Sequence, residues 1–242
     1  MAEQVGGNVS STRIIPEAAE ALAAVPCLAK LCPECPATFE RLALEAIRRE
    51  YVPDQIVFLE GEPCAGLYFV QKGWLKSVKM SPAGREQIVR VIGPGEVFNS
   101  TGFLIESATN PVSVVALEPA KVWLISRESF LGLMEQCPRL ARIIIQHLAE
   151  RVQDLLSLVE DLSLHPVEAR LAHFLLEQST AEMVQRRRRA TQAELAARLG
   201  TVPDVINRAL RSLAKEGLIT LKQRRIHILD CRELAVRARY DQ

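Results

Sequence analysis

Three cysteines crowd one short stretch, Pro26-Cys27-Leu28-Ala29-Lys30-Leu31-Cys32-Pro33-Glu34-Cys35-Pro36. Cysteine acts as a thiolate, either ligating soft metals or exchanging with disulfides. The grouping of Cys27, Cys32 and Cys35 therefore points to a metal site or a thiol–disulfide switch, and its three prolines mark a turn. The plainer reading is thiols without a role. Cys137 and Cys231 read as structural.

A second constellation lies near the C-terminus. Thr191-Gln192-Ala193-Glu194 is a capping box that opens a helix, with Leu195, Ala196 and Leu199 facing inward and Gly200 ending it. After Thr201 a second helix runs Val202–Leu213, with Val205, Ala209, Leu210 and Leu213 on its buried face and Asp204, Asn207, Arg208 and Arg211 outward. Two short helices joined by a Gly turn make a helix-turn-helix. Gly217-Leu218-Ile219-Thr220-Leu221, a turn at Lys222–Arg225, and Ile226–Leu229 then form a hairpin with a basic tip, a wing. In the second helix Asp204, Asn207 and Arg208 have the chemistry to read base edges in a major groove. Thr191, Gln192, Arg211, Lys222, Arg224 and Arg225 suit phosphate contact, and Thr201 is a further DNA-contact residue.

Other constellations are weaker. His147 sits beside Leu148 and could be an axial haem ligand, though a solvated or dimer-edge histidine is the simpler reading. His165, His173 and His227 have no metal-ligand spacing. There is no P-loop, no Gly-x-Ser-x-Gly and no His-Glu-x-x-His, so the sequence does not read as an enzyme.

The elements that must hold these groups follow from the pattern. Residues 1–15 read as a loose arm, Pro16–Ala24 as a short helix and Thr38–Arg49 as another, with Phe39, Leu42, Ala43 and Ala46 on one face. From Tyr51 to Ile125 the signal is short strands: Ile56–Leu59, Leu67–Gln71, Trp74–Met80, Gln87–Ile92, Val112–Ala116 and Val122–Ile125. Seven of the 12 glycines punctuate this stretch, as an antiparallel barrel or jelly roll requires. Arg127–Gln136 is a short helix. Pro138 opens a long one whose seam, Leu140, Ile144, Leu148, Val152, Leu155, Val159 and Leu162, recurs at spacings of three and four. So long a stripe reads as a coiled-coil dimer interface. Ser163-Leu164-His165-Pro166 breaks it, and Val167–Gln178 is helical again.

The whole chain is consistent with this. It has 242 residues, 48% hydrophobic and 24% charged, enough for one or two domains with a real core. No apolar run approaches the ~18–20 residues of a membrane span, and the start after Met1 is polar, so a cytoplasmic protein without membrane contact is expected. From Leu164 to Gln242 there are 15 basic against 9 acidic residues, while the rest has 15 against 20. A basic C-terminal third on an acidic body suits contact with a polyanion.

A β-roll, a long helix and a winged helix in this order resemble the Crp/Fnr family of bacterial transcription regulators. The resemblance spans Pro26 to Leu229. It rests on Leu67-Tyr68-Phe69-Val70-Gln71-Lys72-Gly73, Gly93-Pro94-Gly95-Glu96 and Thr191 through Leu218. It implies an α+β fold: an arm and short helix (1–25), a cyclic-nucleotide-binding-like β-roll sensor domain (26–136), a dimerisation helix (137–163) and a winged helix-turn-helix domain (164–242). It also implies a homodimer on double-stranded DNA with a two-fold symmetric operator, a sensor that shifts the dimer between two arrangements, and contact with RNA polymerase.

Several positions depart from the family. The Glu that holds a cyclic nucleotide's ribose falls on Ser100, and the Arg that holds its phosphate falls on Asn110. The base-reading Thr-Ser falls on Leu155 and Leu156, so cyclic AMP is not the expected effector. Gly95-Glu96 is then only the preceding turn. On the recognition helix, Pro203 takes a place where Crp-like members carry Arg. Fnr-type oxygen sensors hold an iron–sulfur cluster with N-terminal cysteines and one thiolate from the roll. That last position falls on Trp123, and Cys64 is the nearby substitute, giving Cys27, Cys32, Cys35 and Cys64 as ligands for a [4Fe–4S] cluster or zinc. A rival reading is a redox or metal-carrying protein whose winged helix serves protein contacts.

Overall fold

The structure is a computed structural model that describes residues 11–180, 192–222 and 225–238. The chain divides into two compact units. One joins the residues up to Lys79 with Arg90–Val152, and the other joins Met80–Val89 with Gln153 onward.

The first unit begins with four helices: α1 (Ser11–Ala23), α2 (Pro26–Ala29), α3 (Leu31–Glu34) and α4 (Pro36–Glu45). Helix α1 starts at Ser11, before the expected Pro16. The cysteine-rich stretch is two single helical turns, with Lys30 between them and Cys35 before α4. Helix α4 stops at Glu45, and Ile47–Tyr51 is strand β1 rather than more helix. Its charged residues hid a strand whose reason for being extended is tertiary: it pairs with β8 (Ala120–Ser126), Ile47 opposite Leu124 and Tyr51 opposite Ala120.

The remaining strands are β2 (Ile56–Phe58), β3 (Gly66–Lys72), β4 (Leu75–Met80), β5 (Glu86–Ile92), β6 (Val97–Phe98) and β7 (Ser113–Ala116). They form two four-stranded sheets ordered β1-β8-β3-β6 and β2-β7-β4-β5. Alternation along the strands explains both cores. Leu67, Phe69, Trp123 and Ile125 face the helices, while Tyr68, Val70, Val122 and Leu124 face the interior of the roll. Because β3 and β8 are covered on both sides, they read as continuous apolar runs. Inside the roll Phe58, Tyr68 and Phe98 cluster, with ring centroids 5.0–6.1 Å apart. Gly73 is obligatory. Its φ is +85°, and a Cβ there would lie 2.5 Å from the Pro119 carbonyl oxygen.

Helix α5 (Arg127–Gln136) is capped by Ser126, whose hydroxyl accepts from the Ser129 N–H at 3.1 Å. Cys137 alone separates it from α6 (Pro138–Leu164). The seam of α6 is not one surface. Leu140 and Ile144 are 0% exposed and belong to the core formed with Phe130, Leu133 and Leu42, so they cannot serve a dimer interface as expected. Periodicity reports that a stripe is covered, not by what. Val152, Leu155, Leu156 and Val159 are exposed.

The second unit has its own core. Helices α7 (Val167–Thr180), α8 (Gln192–Arg198) and α9 (Pro203–Lys215) pack with β9 (Ile219–Lys222), β10 (Arg225–Ile228) and α10 (Cys231–Ala238). Leu171, Leu175, Leu195, Leu199, Ile206, Leu210, Leu213 and Leu234 fill it. Helix α10, unforeseen in the sequence, lies against α7. Its start is signalled after all: Asp230 accepts from the N–H groups of Arg232 and Glu233 at 2.9 and 3.0 Å.

Candidate nucleic-acid interface and sensor positions

The tight turn between α8 and α9 depends on Gly200, whose φ is +64°. The Thr201 N–H returns to the Ala196 carbonyl at 2.9 Å, closing the end of α8. Pro203 lies in the first turn of α9, where its missing N–H costs nothing. Ile206, Ala209, Leu210 and Leu213 are buried; Ile206 rather than Val205 completes the inner face. Asp204, Arg208 and Arg211 stand at positions i, i+4 and i+7 and are exposed, and Asn207 beside them is half-buried. Among the described residues Arg208 and Arg211 have no ion-pair partner, so the helix presents two uncompensated cations. Gln192 is exposed at the start of α8 and Thr201 is half-buried in the turn.

The basic residues behind this face are engaged. Arg237 pairs with Glu216 at 2.5 Å and with Glu168 at 3.8 Å. The Arg198 guanidinium lies 4.7 Å from the Phe174 ring centroid. Strands β9 and β10 pair antiparallel, Ile219 opposite Ile228, as a wing requires. Thr191, Arg224 and the side chain of Arg225 lie outside the described residues.

In the roll, Ser100 and Asn110, where the resemblance places the nucleotide-holding residues, are neutral and buried, and Asn110 is bonded to Asn99. Asn99, at φ +64°, donates through Nδ2 to Asn110 Oδ1 at 2.9 Å, to the Gly66 carbonyl at 3.3 Å and to Cys64 Sγ at 3.2 Å. Asn110 donates to the Leu59 carbonyl at 3.2 Å. Ser100 is buried beside them. Gly102 lets this cluster close up, since a Cβ there would lie 2.7 Å from Asn99 Oδ1. Glu96 is held within its own turn, by the Gly93 N–H at 2.5 Å and by Arg90.

The four cysteines proposed as metal ligands are not gathered. Among the described residues no three His, Cys, Asp or Glu side chains stand together as a metal site. Cys64 is committed to the asparagine cluster and donates to the Gly66 carbonyl at 3.7 Å; burial pushes its thiol up. Cys27 is half-buried against the helical core, and burial raises it too. Cys32 is exposed. Cys35 instead meets Cys137, which the sequence reading left as structural. The donor set therefore fits neither zinc nor a four-thiolate cluster.

His147 is a second correction: it is 8% exposed, neither solvated nor at a dimer edge. Burial, with Arg90 and Arg151 nearby, holds its imidazole below the ordinary histidine range. Its Nε2 has no hydrogen-bond partner among the described residues.

Comparison with known proteins agrees with this geometry. Residues 48–137 match the cyclic nucleotide-binding domain model, and residues 169–237 match the Crp-like helix-turn-helix domain. The chain is 31% identical over 199 residues to the "Probable transcriptional regulator flp" of Lacticaseibacillus casei, covering 80% of this chain and 89% of that protein. It is 29% identical over 177 residues to the "Cyclic AMP receptor protein" of Thermus thermophilus, covering 72% and 80%. A crystal structure of a Crp/Fnr-family regulator from Eubacterium rectale superimposes with a TM-score of 0.73 at 25% identity, covering 84% of this chain and 94% of that one.

Proposed function

Because the chain belongs to the Crp/Fnr family of DNA-binding transcription regulators, we propose that it binds a two-fold symmetric operator as a homodimer, each α9 entering one major-groove half-site. The outer face of α9 carries the proposal. Asp204 can accept from cytosine N4, and Arg208 can bond guanine O6 and N7. Asn207 is the third base reader; Gln192, Thr201 and Arg211 grip phosphates. Two copies pair along Val152, Leu155 and Val159 of α6, seam residues that its own chain leaves open, with exposed Leu156 beside them and half-buried Leu148 at the edge. The regulator acts in the cytoplasm through RNA polymerase and catalyses no reaction. No described helix is long and apolar enough to cross a membrane.

The same proposal excludes control by cyclic AMP. A cyclic phosphate carries a negative charge, and burying it without a cation costs several kcal/mol. Ser100 and Asn110 supply none, and the bond between Asn99 and Asn110 occupies the place.

The test begins by selecting operators from random-sequence DNA, followed by fluorescence anisotropy across a salt series, with and without cyclic AMP. A palindromic site, a steep salt slope and no effect of cyclic AMP are expected. Binding that is flat with salt would overturn the DNA reading. A cyclic AMP-dependent gain in affinity would overturn the effector reading alone.

A further inference from the structure

Cys35 and Cys137 occupy matching places in the chain. Cys35 is the single residue between α3 and α4, and Cys137 is the single residue between α5 and α6. Each precedes a helix-opening proline, Pro36 and Pro138. The fold lays the two junctions side by side and clamps them from both flanks. Arg139 pairs with Glu34 at 2.7 Å, and Arg41 donates to Gln136 at 2.9 Å. Between these clamps Cys35 and Cys137 are neighbours close enough to perturb one another, both as free thiols, with Thr38 also beside Cys137.

We propose that Cys35 and Cys137 form a reversible intrachain disulfide, a redox site that ties α4 to the start of α6 when a peroxide is present. Burial alone would raise the Cys137 thiol, but hydrogen bonds from the Leu140 N–H, Thr38, Cys35 and the Arg139 N–H outweigh it. They hold Cys137 below the ordinary thiol range, so it is the nucleophile. Its thiolate attacks one oxygen of hydrogen peroxide, breaking the O–O bond to give a sulfenic acid and hydroxide. Cys35 sulfur then displaces the sulfenic oxygen, which leaves with the Cys35 proton as water. The two thiols lose two electrons; the peroxide gains them and, with one further proton on the hydroxide, ends as two waters. Cys137 is buried and Cys35 beside it half-buried, so peroxide has to enter past Cys35 to reach it.

The test uses the full-length protein with hydrogen peroxide, followed by alkylation, non-reducing trypsin digestion and mass spectrometry. The expected product links peptide 31–41 to peptide 128–139, with fragmentation placing the bond on Cys35, and dithiothreitol releases it. Cys32→Ser keeps the link; Cys35→Ser abolishes it. Mixing isotopically heavy and light protein gives no heavy–light pair. The proposal is overturned if both thiols stay alkylatable in the wild type, if the bond runs through Cys32, or if heavy–light pairs appear.

Discussion

In the proposed complex, Arg208 is the side chain on which sequence discrimination rests. It is exposed on α9, has no ion-pair partner among the described residues, and stands one turn from Asp204. Arg208→Ala should weaken binding to a selected operator by about 1–3 kcal/mol, roughly five- to a hundredfold, and relax preference at one base pair. Competition anisotropy against single-base operator variants measures both. His147 carries a pH signature. The unfolded chain protonates this histidine near the ordinary value of ~6.5, while burial first, and then Arg90 and Arg151, hold the folded state lower. Between those two values the unfolded state binds more protons, so the contribution of His147 to stability is complete above ~6.5 and is lost as pH falls. Urea unfolding of wild type and His147→Gln from about pH 7.5 to about pH 5 should show the steeper acid loss in the wild type. At this scale the sequence was readable where side chains stand exposed at helical spacing, as Asp204, Arg208 and Arg211 do on α9. It was opaque where they act on each other. Cys35 and Cys137 are about a hundred positions apart, and nothing local hints at their contact. Asn110 was noticed only as missing a charge, not as bonded to Asn99.

Among the elements, α6 shows both the strength and the limit of periodicity. Its span and apolar spacing were evident from the residues alone. What covers the stripe was not, because a leucine that meets its own core and one that meets a second copy leave the same pattern. Strand β1 failed for a related reason: its polar residues carry no strand preference, and only β8 makes it extended. Two predictions belong here. Leu155→Asp with Val159→Asp should leave a folded chain by circular dichroism but a monomer by sedimentation, with operator affinity reduced at least tenfold, since each buried leucine or valine contributes roughly 1.5–3 kcal/mol. A dimer that persists would show that the proposed pairing face is wrong. Gly200→Ala should destabilise the helix-turn-helix by roughly 1–3 kcal/mol, read as a lowered thermal midpoint. Its left-handed φ resists a side chain, and a Cβ would lie 2.4 Å from Leu162 Cδ2.

For the molecule as a whole, the uneven charge was informative from the start, because it needs no coordinates. The basic surplus lies in the last third, and some of it is spent internally, as Arg237 on Glu216 and Glu168 shows. Doubling Arg208→Ala with Arg211→Ala should flatten the salt dependence of binding by more than either change alone, measured as the slope of log affinity against log salt. A quite different consequence follows from α6 being one unbroken rod of 27 residues, sealed at its first turns and bare along its last. Each residue of an α-helix advances the azimuth by about 100°. One alanine inserted after Ala149 would leave both halves folded yet swing the bare stripe a quarter-turn out of phase with the sealed one. Seven would nearly restore the phase while lengthening the rod by about 10 Å. Length and phase can thus be varied separately, and a ladder of such insertions would reveal which of the two the operator's half-site spacing depends on.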